Sequence, residues 1–343
     1  KLFISNSTIN STLVKGHYPR SEPITLDNCT IDNSTINSDS YNYGINVDNS
    51  TVKNTRFAIG CCGANFKIRK SFLFKSPFAD YNDYFNVTIN NSTLLESPVY
   101  LPSGDVSVSN SIISFDGSST FKDCSSSSQS CSNATTRDQI GIYTRKATID
   151  NSTITGNGAG TGIEISSYSN YTDNISNSTI INNDIGIKIT GNNGNFYFSN
   201  NNFVRNTNSA IRNESNRDIT ATNNYWGVTS NSAIENIVYH NTDSLDYGTV
   251  TYSSYLSNIS QQSPISPPSI SSASAGSSSF TLSWSANSES DLTGYKVYWD
   301  TDSGHPYANV QDVGNATSKS ITGLSSGTTY FVTVTAYDST YSS

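Results

Sequence analysis

Four residues stand at matching places in successive copies of a short phrase. They are Tyr143 in Gly141-Ile142-Tyr143, Glu164 in Gly162-Ile163-Glu164-Ile165, Lys188 in Gly186-Ile187-Lys188-Ile189 and Arg212 in Ala210-Ile211-Arg212. Glu164, Lys188 and Arg212 could serve a polysaccharide lyase, which needs a Lys or Arg base and a partner that neutralises the uronate carboxylate. The same register also describes a cross-strand salt-bridge ladder, and that is the first reading. Hydrolysis would need two or three carboxylates held close together. The candidates, Asp80 with Asp83, Asp116 with Asp123 and Asp243 with Asp246, fall in insertions or near the end of the repeats. No metal site and no cofactor are expected: Cys-x-x-Cys spacing is absent and His17, His240 and His305 lie far apart. Whether the chain is an enzyme stays open, and the balance falls against it.

The elements that would position these residues are repetitive. Asn33-Ser34-Thr35-Ile36, Asn49-Ser50-Thr51-Val52, Asn91-Ser92-Thr93-Leu94, Asn151-Ser152-Thr153-Ile154 and Asn177-Ser178-Thr179-Ile180 share one pattern, interleaved with the Gly-Ile phrases at intervals of about 20 to 26 residues. Apolar and polar residues alternate, as in Ile187-Lys188-Ile189, which predicts short strands with one buried face. A coil of this length cannot bury that face alone, so it must stack on its copies. The expected fold is all-β: a right-handed parallel β-helix over residues 1–260, with equivalent outward residues about 4.8 Å apart. Corners need left-handed backbone, which Asn and Gly tolerate, and corner Asn side chains can form amide ladders.

The phrase Ala221-Thr222-Asn223-Asn224-Tyr225-Trp226-Gly227, followed by Ile234, Ile237, Tyr239 and Gly248-Thr249-Val250-Thr251-Tyr252, resembles the closing coils and cap of NosD-like β-helix repeat proteins. That resemblance implies fold and says little about function. The copper delivery its name implies needs Met, His or Cys ligands, and Met is absent. Asn241-Thr242-Asp243 resembles one hydrolase phrase of this fold, without the Asp-Asp, Gly-His-Gly and Arg-Ile-Lys phrases that accompany it.

Ser263-Pro264-Ile265-Ser266-Pro267-Pro268 marks a change of composition, read as a stiff linker over 261–268. Beyond it, Phe280-Thr281-Leu282-Ser283-Trp284, Gly294-Tyr295-Lys296-Val297-Tyr298-Trp299 and Tyr330-Phe331-Val332-Thr333-Val334-Thr335-Ala336-Tyr337 alternate like the strands of a β-sandwich. Residues 269–343 resemble a fibronectin type III domain, with Trp284 on the second strand and Leu324 leading to Tyr330 as the tyrosine corner. The seventh strand of such a domain is expected after Tyr337, so either the chain continues or a neighbour supplies the strand. The first coil, Lys1 to Ile9, has no amphipathic cap before it; a processed chain and assembly through the ends both account for this.

Charged residues are 13% of the chain and the net charge is −8, which argues against nucleic-acid binding. No apolar run is long enough to cross a membrane and no leader peptide is seen, as expected of a processed secreted chain. The many Asn-X-Ser/Thr sequons point outside the cell, with glycan candidates at Asn6, Asn28, Asn86, Asn133, Asn151, Asn170, Asn174, Asn213, Asn258 and Asn315. Asn86, Asn133, Asn170 and Asn213 read as insertion sites, whereas Asn33 and Asn151 read as corner ladder residues with little room for sugar. Of five cysteines, Cys124 and Cys131 are the expected disulfide, and Cys29 is expected to join Cys61 or Cys62. Tyr41, Tyr43, Tyr81, Tyr84, Tyr168 and Tyr171 could offer platforms for glycans.

These features describe an extracellular structural or adhesive glycoprotein, a subunit of a cell-surface layer or filament. Its expected partners are further copies of itself or other surface glycoproteins, joined through strand edges. The alternative is a secreted polysaccharide-binding or lyase-like protein.

Overall fold

The structure is a computed structural model, and it describes residues 2–16, 22–38, 44–59, 65–79, 86–115, 120–122, 136–156 and 158–338. The chain divides into two compact units, Lys1–Ser263 and Pro264–Ser343. The first is a parallel β-solenoid of about 8 turns.

The first coil shows the plan: Leu2–Ser5 lies on a front face, Thr8–Asn10 on a narrow sheet and Leu13–Gly16 on a back face. Each strand pairs in parallel with its equivalent one coil on, Leu2 with Ile24, Ile9 with Ile31 and Val14 with Ile36. The narrow sheet holds nine strands, and the front and back faces are connected in one sheet of nineteen. Period-two alternation fills the interior. On the front face Leu26, Val47, Ile68, Ile89, Val108, Ile149, Ile175 and Phe198 all point inward and are buried. Each such side chain contributes about 1.5–3 kcal/mol by burial.

The Asn-Ser-Thr phrase makes the corner between front face and narrow sheet. Asn6, Asn28, Asn49, Asn91, Asn151 and Asn177 sit at φ between +47° and +52°, where the short polar side chain of Asn lowers the cost of left-handed backbone. Their amides bond from coil to coil, Asn28 Nδ2 to Asn6 Oδ1 and Asn151 Nδ2 to Asn110 Oδ1, each at 2.6 Å. The next residue turns inward and forms a second, buried ladder. The backbone N–H groups of Cys29, Ser50, Ser71, Ser92, Ser111 and Ser152 each donate to the Oγ of the serine one coil on, at 3.0–3.2 Å. Ser178 and Asn201 donate instead to the Oδ1 of Asn201 and Asn224. From Ser50 to Ser178 each ladder hydroxyl donates in turn to the carbonyl two residues before it, at 2.6–2.8 Å. Buried backbone groups that a tight corner would orphan are thus satisfied by a side chain.

The Gly-Ile phrase works differently from the expectation of left-handed glycines. Gly44 does not have positive φ; it is required by close approach, because an added Cβ would lie 1.4 Å from the carbonyl oxygen of Asn65.

The five-residue helix Asn231–Glu235 is the only helix among the described residues, and Ser230 Oγ caps it by accepting from the Ala233 N–H. Trp226 stacks on Phe203 at 4.9 Å and lies beneath this cap. His240 Nδ1 accepts from the Val250 N–H, so the imidazole carries its proton on Nε2 and donates to Glu235.

Two of the residues read as a linker are engaged: Ser263 Oγ donates to the Asn200 carbonyl, and Ile265 is buried in the core of the second unit. That unit has two three-stranded antiparallel sheets, Ile270–Ala275, Ser279–Trp284 and Ser318–Thr322 in one, Asn309–Gly314, Gly294–Asp300 and Phe331–Tyr337 in the other. Trp284 packs edge-on to Tyr295 in its core, and Tyr330 Oη accepts from the Ser325 N–H at the expected tyrosine corner. The seventh strand was expected to follow Tyr337-Asp338-Ser339-Thr340-Tyr341, and residues 339–343 lie outside the described residues.

Candidate functional site

The column predicted from the repeats exists on the back face. Tyr143 pairs with Glu164, Glu164 with Lys188 and Lys188 with Arg212, and the column extends to Tyr100 at one end and Tyr239 at the other. The structure adds Glu214, which the repeat pattern did not single out. Its carboxylate accepts from Arg212 Nε at 2.6 Å and lies 3.2 Å from Lys188 Nζ, so one acid binds both cations. Burial works against ionisation of Glu214, but the hydrogen bonds from Arg212 and Lys188 outweigh it and hold the carboxyl below its usual range. The Arg212 guanidinium lies 4.2 Å from the Tyr239 ring centroid, and the Tyr100 and Tyr143 rings stack at 4.7 Å. Glu164 is 7% exposed and Tyr143 5%, although both point away from the solenoid interior.

This geometry favours the ladder. A lyase base must be free to reach the substrate proton, whereas Lys188 and Arg212 are both engaged by the Glu214 carboxylate. Tyr100 and Tyr143 are buried against each other, and Arg212 covers one face of Tyr239.

The other chemical candidates disperse. Asp80, Asp83, Asp116 and Asp123 lie outside the described residues. Asp243 Oδ2 accepts from the His240 backbone N–H in the cap, and Asp246 is exposed in a turn. Within the cap, Glu235 accepts from Tyr252 Oη, from Thr242 Oγ1 and from His240. These bonds hold its carboxyl down at about 2, and the Tyr252 phenol is pushed up to about 12 by the same contact. His305 stacks on Tyr307 in the second unit, and His17 lies outside the described residues.

One titratable group was not foreseen. Asp173 occupies an inward position of the front face, between Ala147 and Phe196 in the apolar column. Oδ1 accepts from the Ala147 N–H at 2.7 Å, while Oδ2 is buried with no hydrogen-bond partner. Burial pushes its carboxyl up to about 7, against the opposing pull of the Ala147 N–H and Lys146.

The sequons sort by geometry. Asn213 is withdrawn: it lies on the strand Ser209–Asn213, is fully buried, and donates from Nδ2 to the carbonyls of Arg217 and Gly248. It faces inward because it stands two residues past the buried Ile211. Asn6, Asn28 and Asn151 are corner residues whose amides take part in the ladder. Asn86 donates to Asn65 and accepts from the Asp105 N–H, and Asn258 donates to Ser257. Asn170, Asn174 and Asn315 are exposed. Asn133, Cys61, Cys62, Cys124 and Cys131 fall outside the described residues, as do Tyr41, Tyr43, Tyr81 and Tyr84. Cys29 is a buried free thiol in the serine ladder, its Sγ 3.3 Å from the Asp27 carbonyl. Tyr168 is 71% exposed, and Tyr171 carries Arg145 and Lys146 over its ring.

A parallel β-solenoid joined in one chain to a β-sandwich of this kind points to the class of extracellular adhesive or binding proteins. Residues 265–343 match the fibronectin type III domain family, and the C-terminal unit is such a domain. No curated protein matches the chain. The NosD-like resemblance of the solenoid is not confirmed. No helix among the described residues is long and apolar enough to cross a membrane.

Proposed function

We propose that this chain is an extracellular structural and adhesive glycoprotein, a subunit of a surface layer or filament that joins its neighbours. The observation that carries the reading is the combination of a solenoid locked coil to coil by buried side-chain ladders with a fibronectin type III domain. Stiffness of this kind suits a scaffold, and the central charged column supports the same reading because Glu214 closes it on itself.

Association would run through strand edges. Phe331–Tyr337 pairs on one side with Gly294–Asp300, and no other described strand pairs with it. Phe331 is 38% exposed on this strand, and exposed apolar surface of this kind favours association with another chain. The test is sedimentation velocity of the whole protein over a concentration series, with Phe331→Lys as the variant. Growth of large species that the lysine suppresses, with an unchanged circular dichroism spectrum, supports the proposal. A wild-type chain that stays a monomer at every concentration contradicts it.

A further inference from the structure

We infer that Asn174 is an N-glycan attachment site whose first sugar packs on the ring of Tyr197. This deepens the glycoprotein reading and rests on it.

Asn174-Ile175-Ser176 is a sequon on the strand Thr172–Ser176, which alternates exposed, buried, exposed, buried. Ile175 is buried, so Asn174 points outward from the middle of the front face. Its side chain differs from those of the corner sequons, whose Nδ2 atoms donate to the coil before them. Asn174 makes no hydrogen bond or ion pair with any described residue, so a sugar on Nδ2 would cost the fold no existing bond. Ile175 and Ser176 hold the attachment point flat in the sheet, where Ser176 Oγ donates to Asp150.

The strand one coil on supplies the platform. Asn174 is the direct register partner of Tyr197, and in a parallel sheet such partners are about 4.8 Å apart with side chains on one side. Tyr197 is 48% exposed, with inward Phe196 and Phe198 fixing the backbone on either side of it. Its other register neighbour, Thr220, is too small to cover the ring. An aromatic face beside a free sequon amide fits a pyranose, whose axial C–H groups stack on it. Among its nearest neighbours in the outward column, Thr148, Asn174 and Thr220, Tyr197 is the one large side chain.

The modification uses a lipid-phosphate-linked oligosaccharide and an oligosaccharyltransferase. Nδ2 attacks the anomeric carbon, the bond from that carbon to the lipid phosphate oxygen breaks, and a base takes the displaced amide proton. No oxidation or reduction is involved.

Glycopeptide mass spectrometry on the protein isolated from its own source reads the occupancy of Asn174. Melting curves of wild type, Asn174→Gln, Tyr197→Ala and the double variant, made in the same host, then read the coupling. The inference expects a glycan at Asn174. It also expects Tyr197→Ala to lower the melting temperature by about 2 °C more when the glycan is present than in the Asn174→Gln background. Glycans at Asn170 or Asn315 with Asn174 bare would overturn the inference and leave the glycoprotein reading standing. An occupied Asn174 whose two substitutions simply add would overturn the platform. A protein without any glycan would end both readings.

Discussion

Raising the pH from about 4 to about 8 should weaken the solenoid through one residue, Asp173. Its carboxyl lies in the apolar column of the front face with one oxygen unpartnered, and burial lifts it from the ordinary 3.8 to about 7. Between those values the unfolded chain has released the proton and the folded chain still holds it, so stability falls as pH rises. Lys146 on the adjoining strand and the Ala147 N–H limit the effect, and Asp105 one coil earlier adds to it. The gap from 3.8 to about 7, at about 1.36 kcal/mol per pH unit, makes the full loss ~4 kcal/mol. Asp173→Asn keeps the acceptor for Ala147 but cannot ionise. It places an N–H group where Oδ2 finds no partner, a cost of about 1–3 kcal/mol at every pH. Guanidinium unfolding followed by far-UV circular dichroism should therefore show the wild type more stable near pH 4 and the variant equal or better near pH 8. A wild type with no slope across this window, or a variant with the same slope, refutes the reasoning.

Other expectations follow from the ladders and the cap. Ser71→Ala removes the acceptor of the buried Ser50 N–H and the donor to the Arg69 carbonyl; unfolding should show a loss of about 1–3 kcal/mol. Cys29→Ser restores a hydroxyl to the serine ladder and should stabilise the chain by up to about 1 kcal/mol. A loss of about 2–4 kcal/mol in the same melt would instead reveal a disulfide to Cys61 or Cys62. Glu214→Gln should reduce stability by about 1–3 kcal/mol, because Lys188 and Arg212 lose a shared and partly buried partner; a gain of uronate-polymer cleavage would revive the lyase alternative. On the acid side, Glu235 is held at about 2, so the bonds of the cap should add stability above the ordinary carboxylate range and lose it as pH falls towards 2. Near-UV circular dichroism of Trp226 and Tyr252 reports this step.

The repeat made much of the fold legible. Recurring Ile at fixed offsets sets the register well enough to align Tyr143, Glu164, Lys188 and Arg212. What escaped lay off the repeat or inside its punctuation. Glu214 stands two residues beyond Arg212 at a corner, where spacing gives no guidance to side-chain direction. The serine of Asn-Ser-Thr was given no role of its own, although its recurrence beside a left-handed Asn marks an inward residue that must satisfy a backbone group. Parity would also have found one unremarked residue and one error of placement. Asp173 is two residues before the inward Ile175, and Asn213 two after the inward Ile211. A polar side chain at an inward position was the available signal in both cases. The sandwich was plainer, because Trp284, Leu324 and Tyr330 stand at their expected places.

If a ladder-locked solenoid and a fibronectin type III domain together form a building unit of an extracellular assembly, the native surface material must show it. Electron microscopy of the native surface material, labelled with an antibody to the solenoid, tests it most directly. Label at a regular axial interval along fibres or sheets is the expected result. Label confined to separate, unassociated particles in the medium would contradict it.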